Sequence, residues 1–156
     1  MFVCVYFGEC FTGAVLERGE DPMLVLEFME LGSLHDLLHN QTLVIEGELI
    51  LPILRDVSQG MRFLHAADPR VLHGDLKAQN ILIDSRFRAK VADFGLSQKN
   101  QIGGTGTPFW MAPELLRYES ANTSKTDVFS FGGKYVTHFP IRVFIEPFHL
   151  IFDFVQ

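Results

Sequence analysis

Residues 73–80 read HGDLKAQN and place a carboxylate (Asp75), an ammonium (Lys77) and a carboxamide (Asn80) within six positions, between the apolar pairs and runs Val71-Leu72 and Ile81-Leu82-Ile83. Thirteen residues after Asn80 comes Asp93-Phe94-Gly95, and Ala112-Pro113-Glu114 follows. Groups of these types can accept a proton, steady negative charge and hold a cation; Asn80 and Asp93 in particular offer hard oxygen donors of the kind magnesium takes. Taken singly each also suits a bland role: Asp75 and Asn80 as turn formers, Asp93-Phe94-Gly95 as a β-turn, Asp127 as a helix cap. Their order and separation require a joint explanation.

Composition bounds that explanation. The chain has 156 residues, 47% of them hydrophobic and 21% charged, the balance of one globular domain with a sizeable core. A net charge of -6 without a Lys/Arg cluster argues against a nucleic-acid surface or a polybasic membrane anchor. The apolar start MFVCVYFGECF has no basic flank and is interrupted at Gly8-Glu9, so a buried strand over Phe2 to Phe7 fits better than a signal peptide, and no stretch is long enough for a spanning helix. Two cysteines, Cys4 and Cys10, neither frame a disulfide scaffold nor show metal spacing, and the expected setting is reducing and cytoplasmic.

The elements that must position the polar octet follow from periodicity. Met23 to Phe28 predicts a buried strand, and Ser33 predicts the cap of a short helix. From Gly47 to Ala66, the residues Ile50, Leu54, Val57, Met61 and Leu64 recur at helical spacing, with Pro52 admissible only in the first turn. Val71-Leu72, Ile81 to Ile83 and Ala89 to Val91 predict three short strands, which puts the octet on a loop between strands. Residues 100–107 are a flexible polar stretch, and Pro113 to Tyr118 begins a helix with proline in its first turn. After Gly132-Gly133 the chain becomes Phe-rich, with Pro140 and Pro147 breaking any long helix.

HGDLKAQN, DFG and APE, in this order, resemble the signature set of the protein kinases. Four further pieces agree: Leu26-Glu27-Phe28-Met29, Gly32-Ser33-Leu34, Gly106-Thr107-Pro108-Phe109-Trp110-Met111, and Asp127 through Gly132. The resemblance implies an α+β fold made of the end of an N-lobe sheet, a hinge and a mainly helical, incomplete C-lobe over residues 1–133, followed by a divergent tail over 134–156. It implies Asp75 as the group that orients a substrate hydroxyl and accepts its proton, and Lys77 as the contact to the transferring phosphate. Asn80 and Asp93 would hold Mg2+, Leu82 would lie under the adenine of ATP, the backbone of Glu27 and Met29 would meet its edge, and Leu26 would belong to the same nucleotide site. His73 and Phe94 are read as packing residues, and Asp127 as the anchor of the catalytic loop. Lys77, Gly106-Thr107 and the wording EFMELGSLHDLL are similar to serine/threonine kinases of the tyrosine-kinase-like branch, so the implied partners are ATP and a protein substrate.

Departures from the pattern qualify this. Gly74 stands where most of the family has an Arg that pairs with a phosphorylated activation segment, so activity independent of phosphorylation at Thr105 or Ser97 is expected. No glycine-rich loop, strand Lys or helix Glu precedes Phe2, and the family's later helices do not follow Gly132. Two functions are therefore carried forward: a protein serine/threonine kinase, and a non-catalytic kinase-like fragment or interaction module.

Overall fold

A computed structural model describes residues 11–17, 19, 21, 23–40, 47–93 and 106–138. The strand expected over Phe2 to Phe7, Phe94-Gly95, residues 100–105 and the tail from 139 onward lie outside the described residues.

The architecture is α+β. Strand β1 (Phe11–Val15) pairs antiparallel with β2 (Met23–Leu26), with an irregularity in register between Phe11 and Gly13. The chain leaves β2 through Glu27-Phe28-Met29 and enters helix α1 (Leu34–His39). Its start is set by a reciprocal cap: the Ser33 hydroxyl accepts the Asp36 N–H at 3.1 Å, and the Asp36 carboxylate accepts the Ser33 N–H at 3.4 Å. Each satisfies a backbone donor that the first helical turn leaves unpaired.

Helix α2 (Gly47–Ala66) has the bounds expected from periodicity. Ile50, Ile53, Leu54, Val57, Met61 and Leu64 are all buried and form one stripe of the core. Pro52 does not lie in the first turn; it is an exposed residue of the second turn. Helical continuity survives because on the solvent side water can satisfy the carbonyl that proline leaves without a donor.

Strands β3 (Ile81–Ile83) and β4 (Ala89–Val91) form an antiparallel hairpin in the register Ile81↔Val91, Leu82↔Lys90 and Ile83↔Ala89. The Asp84 carboxylate closes its turn by accepting the N–H groups of Arg86 and Arg88, each at 2.8 Å. Val71-Leu72 is not a strand. The Val71 N–H bonds the Leu64 carbonyl at 3.1 Å, so the chain folds back on the end of α2 and Val71 packs against the core. The octet thus lies between α2 and β3, and its last three residues, Ala78–Asn80, form a 3-10 turn running directly into β3.

Asp56, buried on α2, accepts the Ala89 N–H at 3.1 Å and the Arg88 guanidinium at 2.8 and 3.1 Å, which locks the helix to the hairpin. Helices α3 (Pro113–Leu116) and α4 (Ser124–His138) complete the fold, and Phe131 of α4 joins the core containing α2 and the hairpin. Helix α4 spans the Gly133/Lys134 boundary expected from composition. A Gly pair costs a helix only about 1 kcal/mol per residue and is not by itself a stop.

Candidate active site

The site is assembled around a buried carboxylate. Asp127, on the first turn of α4 and 1% exposed, accepts the His73 N–H at 2.9 Å on one oxygen and the Gly74 N–H at 2.9 Å on the other. The Nε2 of His65, near the end of α2, lies 2.8 Å from the same carboxylate. One buried acid therefore ties α2, α4 and the start of the octet together. Gly74 takes φ 77°, a left-handed conformation that glycine adopts without strain and that turns the chain toward Asp75.

His73 is fully buried. Its Nε2 lies 3.0 Å from the Ala92 carbonyl, and its Nδ1 accepts the Asp75 N–H at 3.2 Å. These partners require the tautomer protonated on Nε2. Burial pushes the imidazole below its ordinary range, outweighing the opposite pull of Asp127, the Ala92 carbonyl, Asp75 and Asp93. A neutral ring at this place links the octet to the residue just before Asp93.

Asp75 is held at both oxygens. Oδ1 accepts the Thr107 N–H and the Thr107 hydroxyl, both at 2.8 Å; Oδ2 accepts Lys77 Nζ at 2.6 Å. Lys77 also donates to Thr107 Oγ1 at 2.8 Å, closing a triangle of three side chains. Burial alone would push the Asp75 carboxyl up, but the hydrogen bonds from Lys77 and then Thr107 outweigh it and hold the carboxyl below the usual carboxylate range. Asn80, buried in its 3-10 turn, donates from Nδ2 to the Asp75 carbonyl at 2.8 Å and makes a long 3.4 Å contact to Oδ2. With that end engaged, the amide oxygen is the end of Asn80 left for a cation.

The hairpin supplies the second oxygen donor. The Ala92 N–H bonds the Asn80 carbonyl at 2.8 Å, one step beyond the Ile81↔Val91 pair, so Asp93 follows directly on a residue tied to Asn80. Asp93 takes φ 63°, a conformation Asp tolerates better than most residues. An amide oxygen and a carboxylate from the same end of one hairpin are a donor set that fits magnesium. Among the described residues no group of three or more His, Cys, Asp and Glu gathers as a metal cluster, so this pair would complete its shell with phosphate and water.

Gly106, at φ 143°, passes so close to the octet that a β-carbon there would lie 2.8 Å from the Gly74 carbonyl. This approach of bare backbone delivers Thr107 to Asp75. The following 3-10 turn, Pro108–Trp110, is pinned to α4 by the Ser130 hydroxyl, which donates to the Trp110 carbonyl at 2.7 Å.

The hinge residues gather beside the hairpin. The Leu31 N–H bonds the Ile83 carbonyl at 3.1 Å, the Ile83 N–H bonds the Gly32 carbonyl at 2.9 Å, and Ser33 bridges Leu82. Leu82 is half-buried, Met29 buried, and Leu26 half-buried at the end of β2, while the Glu27 carboxylate is paired with Lys90. The residues singled out in the sequence thus fall into two groups: Asp75, which touches both Lys77 and Asn80, with Asp93 following a residue bonded to Asn80; and Glu27, brought by Lys90 to the strand position opposite Leu82, with Leu26 and Met29 near it in the chain. Two contributors were not singled out for contact. Thr107 served only to suggest a substrate class, and His65 gave no signal, because a separation of 32 or 62 residues to their partners leaves no trace in local spacing.

Comparison with known proteins shows the family. The family profile described as protein tyrosine and serine/threonine kinase matches residues 10–137. Probable serine/threonine-protein kinase drkC of Dictyostelium discoideum is 37% identical over 138 residues, which is 83% of this chain and 18% of that protein. Probable serine/threonine-protein kinase drkA of the same organism is 43% identical over 116 residues, 72% of this chain and 18% of its own length. Serine/threonine-protein kinase CTR1 of Arabidopsis thaliana is 40% identical over 130 residues, covering 78% of this chain and 16% of that one. The chain therefore spans less than a fifth of the length of these relatives.

Proposed function

Because this chain belongs to the protein tyrosine and serine/threonine kinase family, we propose that it carries the catalytic loop of an enzyme that transfers the γ-phosphoryl group of ATP to a serine or threonine hydroxyl of a protein. The observation that carries the reading is the Asp75–Lys77–Thr107 triangle with Asn80 on the Asp75 backbone. In a loose phosphoryl-transfer transition state the protein chiefly orients the nucleophile and stabilises charge. Asp75 Oδ1 takes two 2.8 Å bonds from Thr107, whereas Oδ2 takes Lys77 at 2.6 Å and only a long 3.4 Å contact from Asn80, so Oδ2 is the oxygen we assign to a substrate hydroxyl. A carboxyl held below the usual range is a weak base; it orients the hydroxyl first and takes the proton once bonding to phosphorus has made that proton acidic. Lys77, already beside Oδ2, is in place to steady charge on the transferred group.

Asn80 and Asp93 would hold Mg2+, whose role there is to neutralise phosphate charge. Leu26 and Leu82 would contact the adenine, and the backbone of Glu27 and Met29 would take its edge. The serine/threonine preference rests on Lys77 and Thr107 and on the names of the relatives. A cytoplasmic setting belongs to the same reading and rests on the cysteine content alone.

The test is a thermal-shift titration of the full chain with ATP, with and without magnesium, followed by a phosphoryl-transfer assay. The expected result is a stabilisation of a few degrees that requires magnesium and is lost in Asp93→Asn. No shift sinks the nucleotide site, and a shift without transfer favours the non-catalytic reading.

A further inference from the structure

Lys90 is a buried cation on β4, 6% exposed, directly opposite Leu82 in the hairpin register. Opposed residues of an antiparallel pair share a face of the sheet, so the Lys90 stem runs along the same face as Leu82. Its ammonium ends on the carboxylate of Glu27, 63 residues earlier in the hinge, whose side chain is 40% exposed. Nothing in the chemistry of transfer needs a charge here. A strand position covered on both sides would ordinarily be aliphatic, since burying an ammonium costs free energy unless it is paired.

A second hinge carboxylate does the same at the other end of the hairpin. Glu30 accepts the Ser85 N–H at 3.0 Å, in the β3–β4 turn. Directly after Glu30 come the backbone bonds from Leu31 and to Gly32 and the bridge from Ser33 to Leu82. The hinge is thus fastened to the hairpin at Glu27 and again from Glu30 to Ser33, and Lys90 fixes the end at Glu27.

We propose that Lys90 is a positioning residue for the nucleotide site: through its ion pair with Glu27 it sets the hinge backbone over Leu82, and so sets ATP affinity without touching ATP. The nucleotide part rests on the function proposed above; the hinge part does not. A purely structural lysine would stabilise the whole fold evenly, whereas a positioning lysine acts on the hinge.

Amide hydrogen exchange and ATP affinity of the full chain, compared among the parent, Lys90→Met and Lys90→Arg, separate these. In Lys90→Met the amides of Leu31 and Gly32, bonded to Ile83 and Met29, exchange about fivefold faster while those of Val57 and Met61 in α2 are unchanged, a size suited to a partly solvated ion pair. The concentration of magnesium and ATP giving half-maximal effect rises about fivefold, with kcat within twofold. Lys90→Arg restores both. Unchanged hinge exchange in Lys90→Met overturns the proposal, as does equal acceleration in α2. If Lys90→Met does not fold, Glu27→Gln, which keeps length and removes the charge, gives the same faster exchange at Leu31 and Gly32 against unchanged Val57 and Met61. A parent chain that binds no ATP overturns the function proposed above, and hinge exchange still decides whether Lys90 positions the hinge.

Discussion

Thr107 shows how a side chain with no obvious chemistry can set the state of one that has it. Its hydroxyl contacts both Asp75 and Lys77, and its backbone N–H adds a third bond to the same pair. Thr107→Val removes the hydroxyl at nearly constant volume and leaves the backbone bond. Phosphoryl transfer should then fall about tenfold in kcat with little change in ATP affinity, the usual worth of one charge-assisted hydrogen bond. Stability should respond to pH with a definite sign. The Asp75 carboxyl is depressed in the folded chain, so its stabilisation is complete above the ordinary carboxylate pKa of about 4 and is lost as pH falls through the folded value. Thr107→Val narrows that gap. Urea unfolding should therefore find the parent more stable than the variant at pH 6, with the difference shrinking toward pH 3.

Elements contribute by where their ends meet. The start of α4, the end of α2 and the octet converge on Asp127, and the hairpin joins them through the His73 contact to Ala92. Asp127→Ala leaves the buried His73 N–H and the half-buried Gly74 N–H without their acceptor. The expected loss is about 2–4 kcal/mol in denaturant unfolding, together with loss of transfer activity, because the loop that carries Asp75 is no longer held. Asp127→Asn, which keeps an acceptor oxygen, should fall between the two. Element type was legible in advance wherever periodicity ran long: α2 has its expected bounds and Ser33 is the expected cap. It was not legible for Val71-Leu72, since two apolar residues pack equally well as a strand or as a fold-back on a helix end. Composition changes at Gly132-Gly133, yet α4 runs on through the pair, since glycine lowers helix propensity without forbidding a helix.

For the molecule as a whole, α2 is the post on which the other parts are mounted. Its buried stripe packs with β3, β4, α1 and Phe131 of α4, and Asp56 adds the polar lock to Arg88 and Ala89. Ile53 is completely buried at the centre of that stripe. Ile53→Ala should cost about 2–5 kcal/mol through the lost burial and the cavity left behind. Thermal unfolding should show this as a large drop in Tm even though the substitution lies on no catalytic element.

The sequence by itself determined the chemistry available: the types and order of Asp75, Lys77, Asn80 and Asp93, the long amphipathic helix, and the family they point to. These are local quantities, written in composition, short motifs and periods of two or 3.6 residues. The tertiary structure alone decided that Asp75 is clamped by Thr107, that Asp127 serves three elements through His65, His73 and Gly74, and that a buried Lys90 reaches back to the hinge. Each of those pairs joins residues 32 to 63 positions apart. Their geometry follows from how a helix, a hairpin and a close pass of Gly106 pack together, and no spacing along the chain encodes it.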